Sequence, residues 1–464
     1  MSYSETISAP SPTSQPFTVP ADGHWTAVEK TIFRFVFLYF LIQALPLDAQ
    51  FFVNLVDFNG GYTRYLFNLS HYAPRFFGPE DTFVNWGVVL VFAAIGSVVW
   101  SFRNDSKTDY DQLYYWLRVI LRYRLALGVI AYGFIKLFPL QAPLPSISNL
   151  NTAYGDHTAW KLFSLSLGIV PNYESFLGAV ELAGGLLLLN RKTATIGTLI
   201  LLPFLGNVFF SNLAYEGGEY VYSGLLITFA LVLFAFDAIR LFRLLSLELP
   251  ASPNRFHLVL NEQWQRYGRF ALKSAFILFT VLLYGFTTYS TYRNGSVRFP
   301  KTPGLPGAAG LYNVSEFRVG GKTLPYAKND PVRWQDVVFE TWNTISIKSN
   351  RPVRIVNTVT EKLPATDRTG GSTEEDYEFA GSQGRHYYRY TVDPARNLLT
   401  LKNSNPNYAA ETLQLTYTKA GNGQIILAGL DEKRDSVYAV LDKINKKYLI
   451  DEAAKAGRRG SLKL

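Results

Sequence analysis

Long apolar runs separated by polar and basic connections fill the N-terminal part of the chain, and short alternating runs fill the remainder. Seven stretches approach the roughly 20 apolar residues that carry a helix across about 30 Å of hydrocarbon. They lie near residues 31–49, 84–102, 119–138, 173–189, 194–213, 220–239 and 271–290. FVNWGVVLVFAAIGSVVW and YSGLLITFALVLFAF are the clearest, whereas Arg34, Gln43 and Pro46 interrupt the first. Trp86, Trp100, Trp116, Tyr220 and Tyr222 fall near the ends of these stretches, where a ring with a polar tip suits the headgroup layer. Residues 26–292 are therefore expected to form an all-α membrane bundle of about seven transmembrane helices.

After residue 292 the period changes. DVVFE, TISIKS, RIVNTV, HYYRYTV, NLLTLK, TLQLTYT and GQIILAGL read as strands separated by Asn, Gly, Asp and Pro turns. The alternation in TISIKS and TLQLTYT suggests sheets with one buried face. A mostly-β domain over 311–464, a sandwich or a small barrel, is expected, closed by a helix in DSVYAVLDKINKKYL. Residues 293–310, with the Gly- and Pro-rich FPKTPGLPGAAG, read as a linker. Residues 1–25, rich in Ser, Thr and Pro and without an apolar run, read as a disordered tail rather than a signal peptide.

Charge orients this plan. With the N-terminus inside, the cytoplasmic connections hold fifteen Lys and Arg residues against four (Arg64, Arg75, Lys136 and Lys161) on the other side. Seven crossings then place the β domain outside the cytoplasm. The expected location is a bacterial cytoplasmic (inner) membrane, multi-pass, with a periplasmic or extracellular C-terminal domain. From residue 291 onward 26 Lys and Arg face 18 Asp and Glu, so most of the net charge of +9 belongs to that domain. The plain reading is a solvated surface; the alternative is an anionic envelope polymer, lipid headgroup or protein partner, and nucleic acid is not expected there.

Composition then limits the chemistry. The chain has no Cys and only one Met, which excludes disulfide exchange, iron–sulfur clusters and thiolate metal sites. The histidines (His24, His71, His157, His257 and His386) all fall outside the spans, so neither a haem held between facing helices nor an intramembrane metal site is expected. Of the loop histidines, His71 and His157 could meet at the outer face, but with no acidic signature nearby the plain reading of both is polar loop surface. No phosphate-cradling glycine loop or nucleophile elbow appears.

The intramembrane ionisable groups remain, because a charge at mid-depth costs several kcal/mol unless paired or hydrated. Glu181 lies mid-span in ESFLGAVELAGGLLLLN, followed by Gly184 and Gly185, which allow close approach of a helix or ligand. Lys136 in YGFIKLFP is its candidate partner, although the ammonium must point inward to reach a carboxylate roughly 12 Å deep; alone, it would snorkel to the interface. Arg118 and Arg122 share a face at the cytoplasmic end of span three, where Arg124 also enters. Interfacial retention is the plain account of these three, with an anionic headgroup or a quinone carbonyl as the functional one. Asp237 and Arg240 form an i, i+3 pair at the inner end of span six. The segment DHTAWKLFSLSLGIVPN, 156–172, reads as an interfacial amphipathic helix over the bundle mouth, able to cover a lipid-facing pocket.

Between about 118 and 245 the chain resembles the DoxX-like family of bacterial membrane proteins. The resemblance rests on RLALG and GFIK within 124–136, ELAGGLLLLNRK at 181–192, GNVFFSNL at 206–213 and DAIRL at 237–241. It implies a four-helix core made of spans three to six, with Lys136, Glu181, Asn207 and Asp237 as its polar positions, and a quinone-associated or membrane-redox role. The absence of Cys departs from relatives that pass disulfides to a quinone.

No reaction is named by these features. The first expectation is a quinone- or lipid-binding component of a membrane redox system, with redox partner subunits, centred on Glu181 and Lys136 and with Arg122, Asn207 and Asp237 as further binding candidates. The second is a non-enzymatic anchor or scaffold presenting the β domain to a partner. A small-solute transporter is third, weakened by the absence of a visible inverted repeat.

Overall fold

The computed structural model describes residues 25–47, 51–52, 55, 62–77, 82–102, 108–251, 262–294, 298–357, 373–421 and 423–456. The expected disordered tail, up to residue 24, lies outside them, as do His24 and His257. A helix stands at each of the seven apolar stretches: α1 (Ala27–Ala44), α3 (Phe83–Ser101), α4 (Tyr110–Leu137), α7 (Pro171–Leu188), α8 (Ala194–Ala214), α9 (Tyr220–Leu245) and α10 (Gln263–Arg293). Between them lie α2 (Tyr62–Ser70), the single turn α5 (Ile147–Leu150) and α6 (Ala159–Gly168).

Four of these helices, α3, α8, α9 and α10, are long and apolar enough to cross a membrane. The others carry the charges that lower their hydropathy: Glu29, Lys30 and Arg34 in α1, the arginines and Lys136 in α4, Glu174 and Glu181 in α7. Helix α4 starts nine residues before the apolar run does, because the Asp109 side chain caps it by accepting from Gln112 N at 3.0 Å. The outward face of α3 exposes Val84, Val91, Ile95, Val98 and Val99, a surface suited to lipid rather than water.

Helices α4, α7, α8 and α9 close a ring, each packed on the next and α9 back on α4. Leu121, Leu125 and Val129 of α4, Leu188 of α7, Leu201 and Leu205 of α8, and Leu225 and Phe229 of α9 fill its centre. Glycines set the closest approach. A Cβ at Gly178 would stand 2.2 Å from Leu137 N and 2.6 Å from Gly133 O, so α4 and α7 touch backbone to backbone. Gly184 and Gly185 lie against Leu201 and against Val129 and Ile130, so helices, not a ligand, occupy the space beside them.

The C-terminal part is an eight-stranded antiparallel barrel. Its strands are β1 (Gly310–Val319), β3 (Asp336–Phe339), β4 (Thr344–Lys348), β5 (His386–Asp393), β6 (Leu398–Asn403), β7 (Thr412–Lys419), β8 (Ile425–Leu430) and β9 (Ser436–Lys443). The two-residue β2 (Lys322–Thr323) folds back on the end of β1. Each strand pairs with the next, and β1 pairs with β9, with Phe317 opposite Ala439, which leaves no long open edge. Tyr312, Phe339, Ile345, Leu401, Leu415 and Leu427 fill the interior.

This settles barrel against sandwich and corrects three local readings. The closing helix in 435–449 is instead strand β9, because Val437, Ala439 and Leu441 point inward at period two; helix α11 (Leu449–Ala456) begins only at the end of that stretch. Residues 354–357 of RIVNTV are irregular, and the segment continues outside the described residues. Within the linker, Leu305 and Ala308 belong to the barrel core, so 299–310 is packed rather than a free tether.

The barrel is docked on the connection between α4 and α7. Glu340 accepts from the backbone N–H groups of Ile147 (3.1 Å) and Ser148 (2.7 Å) at the start of α5, and from the Ser148 hydroxyl at 2.6 Å. Asn149 donates to Glu378 O at 3.1 Å, Arg298 to Leu140 O at 3.2 Å and Asn151 to the Tyr448 hydroxyl at 2.7 Å. The end of the bundle near Lys136 is thus the barrel-side end.

Candidate functional site

Lys136, in the last turn of α4, and Glu181 of α7 meet inside the ring. Their Nζ and Oε2 atoms are 2.7 Å apart, and both residues are buried. The close α4–α7 approach at Gly178 makes this reach possible and turns the ammonium inward instead of toward the interface. The rings of Tyr132 and Phe204 flank the ammonium at 5.2 and 5.6 Å.

A second acid, Glu219 at the start of α9, lies beside this pair. Its Oε2 is 2.5 Å from His71 Nε2 and accepts from the Tyr132 hydroxyl at 3.1 Å. Tyr132 and Lys136 are four residues apart on one face of α4, so one helix face links both acids. Glu181, Lys136, Tyr132 and Glu219 line a common cavity of about 90 Å³, otherwise walled by residues such as Leu177, Phe204 and Leu226. Asn207, itself exposed, lines it too, as does Asn212, whose Oδ1 is buried and has no hydrogen-bond partner among the described residues. Phe163 and Leu167 of α6 also wall the cavity, so the amphipathic segment covers a pocket as its pattern suggested.

His71 is a correction. It is not loop surface but buried against the rings of Tyr222 and Phe67. Arg124 explains why: its guanidinium donates to Ser70 O at 3.0 Å and to Tyr72 O, binding the carbonyl end of α2 inside the bundle. Arg124 is therefore a positioning residue for this segment, not an interfacial retention charge. His157 pairs elsewhere, with Ser382 of the barrel at 2.9 Å, so the two histidines have separate partners. Neither Glu219 nor its link to His71 is legible from spacing, since 148 residues separate them.

The remaining candidates stand apart. Arg122 and Asp237 line a cleft of about 780 Å³ at the far end of the bundle. Arg122 precedes Lys136 by fourteen residues, roughly 21 Å along the α4 axis. There Asp237 is held by Arg240 Nη1 at 2.7 Å and by the Thr195 hydroxyl at 2.5 Å. The five sequence candidates thus divide into Lys136, Glu181 and Asn207 at one cavity and Arg122 and Asp237 at another.

A third polar set lies at the barrel junction. Glu378 accepts from Trp342 Nε1 at 2.7 Å and from the Thr344 hydroxyl at 2.9 Å. Burial, and then the neighbouring Glu340 charge, push its carboxyl up to about 8. Lys161 of α6, fully buried and bonded to Tyr377 O, is pushed down to about 7 by burial. Ser164 and the Tyr377 hydroxyl, 2.8 Å apart, continue the contact. These groups fasten the barrel to α6, the same helix whose other residues wall the bundle cavity.

Among the described residues no group of three or more His, Asp and Glu side chains is placed to hold a metal ion. Comparison with known protein families, with curated proteins and with solved structures finds no match for the chain.

Proposed function

We propose that this chain is a seven-crossing membrane protein whose four-helix ring binds the polar head of a lipophilic quinone at Lys136 and Glu181, as a component of a membrane redox system. The observation that carries the reading is an ion pair, 2.7 Å long and shielded from solvent, facing a cavity whose lining combines apolar side chains with a second acid, Glu219, and the amides Asn207 and Asn212. The donor set fits such a head: the Lys136 ammonium can donate to a carbonyl, and Glu181 can accept from a hydroxyl. A bound quinone would supply two-electron chemistry coupled to protons. Tyr132, Glu219 and His71 form the continuous set of groups through which a proton would leave. The closed ring of α4, α7, α8 and α9 agrees with the DoxX-like reading of spans three to six.

Seven crossings are supported by contacts at both ends. Trp25 with Asp111, and Arg34 with Ser101 and Tyr110, join α1, α3 and α4 at the far end. The barrel, following α10, docks on the connection after α4, as an alternating path requires. With the basic far end in the cytoplasm of a bacterium, the barrel is outside it.

The test is mass spectrometry of lipids extracted from the purified full-length protein. Ubiquinone or menaquinone should be retained above the level in an unrelated membrane protein prepared in the same detergent, and Glu181→Gln should lower that retention by about tenfold, the equivalent of one charge-assisted hydrogen bond. Equal quinone in both preparations would end the proposal and leave the anchor-and-scaffold reading in its place.

A further inference from the structure

The far-end cleft has a different character from the bundle cavity. Five cationic side chains, Arg118, Arg122, Arg191, Lys192 and Arg240, line it against two carboxylates, Asp111 and Asp237. Asp237 is committed to Arg240 and Thr195, and Asp111 accepts from Trp25 Nε1 at 3.1 Å. Among the described residues none of Arg118, Arg122, Arg191 and Lys192 forms an ion pair with a carboxylate. Among the described residues the Nε atoms of Arg118 and Arg122 are buried and find no hydrogen-bond partner, although the Arg118 guanidinium stacks on the Phe236 ring. With five cations against two carboxylates, the cleft carries a surplus of positive charge that an anion would balance.

The surroundings say what kind of anion. Ile196, Leu199 and Leu244 line the same cleft and are exposed, which places an apolar border beside the cations. Arginine forks match phosphate oxygens, and the cleft of about 780 Å³ has room for far more than a single phosphate ion.

We infer that this cleft is a binding site for a phosphate-bearing amphiphile, an anionic phospholipid whose headgroup phosphate sits between Arg118, Arg122, Arg191 and Lys192 while its acyl chains run over Ile196, Leu199 and Leu244. The site is independent of the quinone reading, since it lies about 21 Å from Lys136 along α4.

The experiment is native mass spectrometry of the full-length protein, delipidated and then titrated with phosphatidylglycerol or phosphatidylcholine, both with oleoyl chains. Wild type should bind about one phosphatidylglycerol at the site with at least tenfold preference over phosphatidylcholine. Arg191 and Lys192 lie on an exposed turn, so Arg191→Gln/Lys192→Gln leaves packing intact. It should weaken phosphatidylglycerol binding roughly 30-fold, at about fivefold per cation removed. Arg118→Gln/Arg122→Gln should do the same, while Arg243→Gln, outside the cleft lining, should not. Inorganic phosphate at saturation distinguishes the sources: lipid that resists displacement identifies the headgroup as occupant, and full displacement assigns the cleft to a soluble phosphate compound, overturning the lipid. No preference between the two lipids, or equal loss in Arg243→Gln, would overturn the site itself.

Discussion

Replacing Lys136 by Met tests whether the buried pair is a coupled unit. The perturbation removes the ammonium but keeps most of the side-chain volume, leaving the Glu181 carboxylate 2% exposed with its 2.7 Å partner gone. At an effective dielectric of about 20, two unit charges at that separation attract by roughly 6 kcal/mol before desolvation is counted. Desolvation cancels much of this, so the pair as a whole adds little. Stripping one partner nevertheless costs about 3–5 kcal/mol, because the other charge stays buried. Glu181→Met alone should cost a similar amount. The double variant Lys136→Met/Glu181→Met should fold about as well as wild type, or be up to about 4 kcal/mol more stable. Reversible unfolding of the full chain in mixed detergent micelles reads all four proteins, and the coupling energy should exceed about 3 kcal/mol. Single variants costing under about 1 kcal/mol, or a double variant as damaged as the two singles summed, would refute the reasoning. A stable double variant that has lost quinone would show that the pair is kept for binding rather than for the fold.

Other expectations follow from the same geometry. Gly178→Ala should destabilise by about 3 kcal/mol or more, since its Cβ would enter the α4 backbone, whereas Gly206→Ala, with nothing within 4 Å, should be neutral or gain up to about 1 kcal/mol; thermal unfolding of both checks this. Glu340→Ala should cost about 1–3 kcal/mol by leaving the Ile147 and Ser148 N–H groups without acceptors, and limited proteolysis should then cut the 138–171 connection faster. His386, held down at about 4 by burial and the Arg351 charge, stays neutral in the folded barrel while the unfolded chain binds its proton near 6.5. Its contribution is present above pH 6.5 and is lost as the pH falls through 4, a loss of up to about 3 kcal/mol. His386→Gln should flatten that part of the pH–stability curve, and unchanged acid sensitivity would remove His386 as its cause.

Apolar run length, strand alternation and turn residues are local quantities, and they were readable: a helix at each of the seven apolar stretches, and a β domain after them. So was Glu181, because a lone acid in an apolar run carries its own signal. Local pattern failed where two periods compete, as in 435–449, where Val437, Ala439 and Leu441 could serve a strand or a helix until the pairing of β9 with β1 decided. It also missed β1, whose strand GLYNVSEFRV follows directly on a Gly- and Pro-rich stretch.

The sequence by itself determined which segments are too apolar for water and which charges would need a partner. Only the tertiary structure decided what those partners are. Lys136 reaches Glu181 because two glycine-bearing helices touch; His71 reaches Glu219 because Arg124 binds the carbonyl end of a short helix; Arg122 and Asp237 fall away from both because they sit about four to five turns of helix away. Charge pairing acts over a few ångströms of space, and distance in space is set by packing between elements, which no pattern along one element encodes.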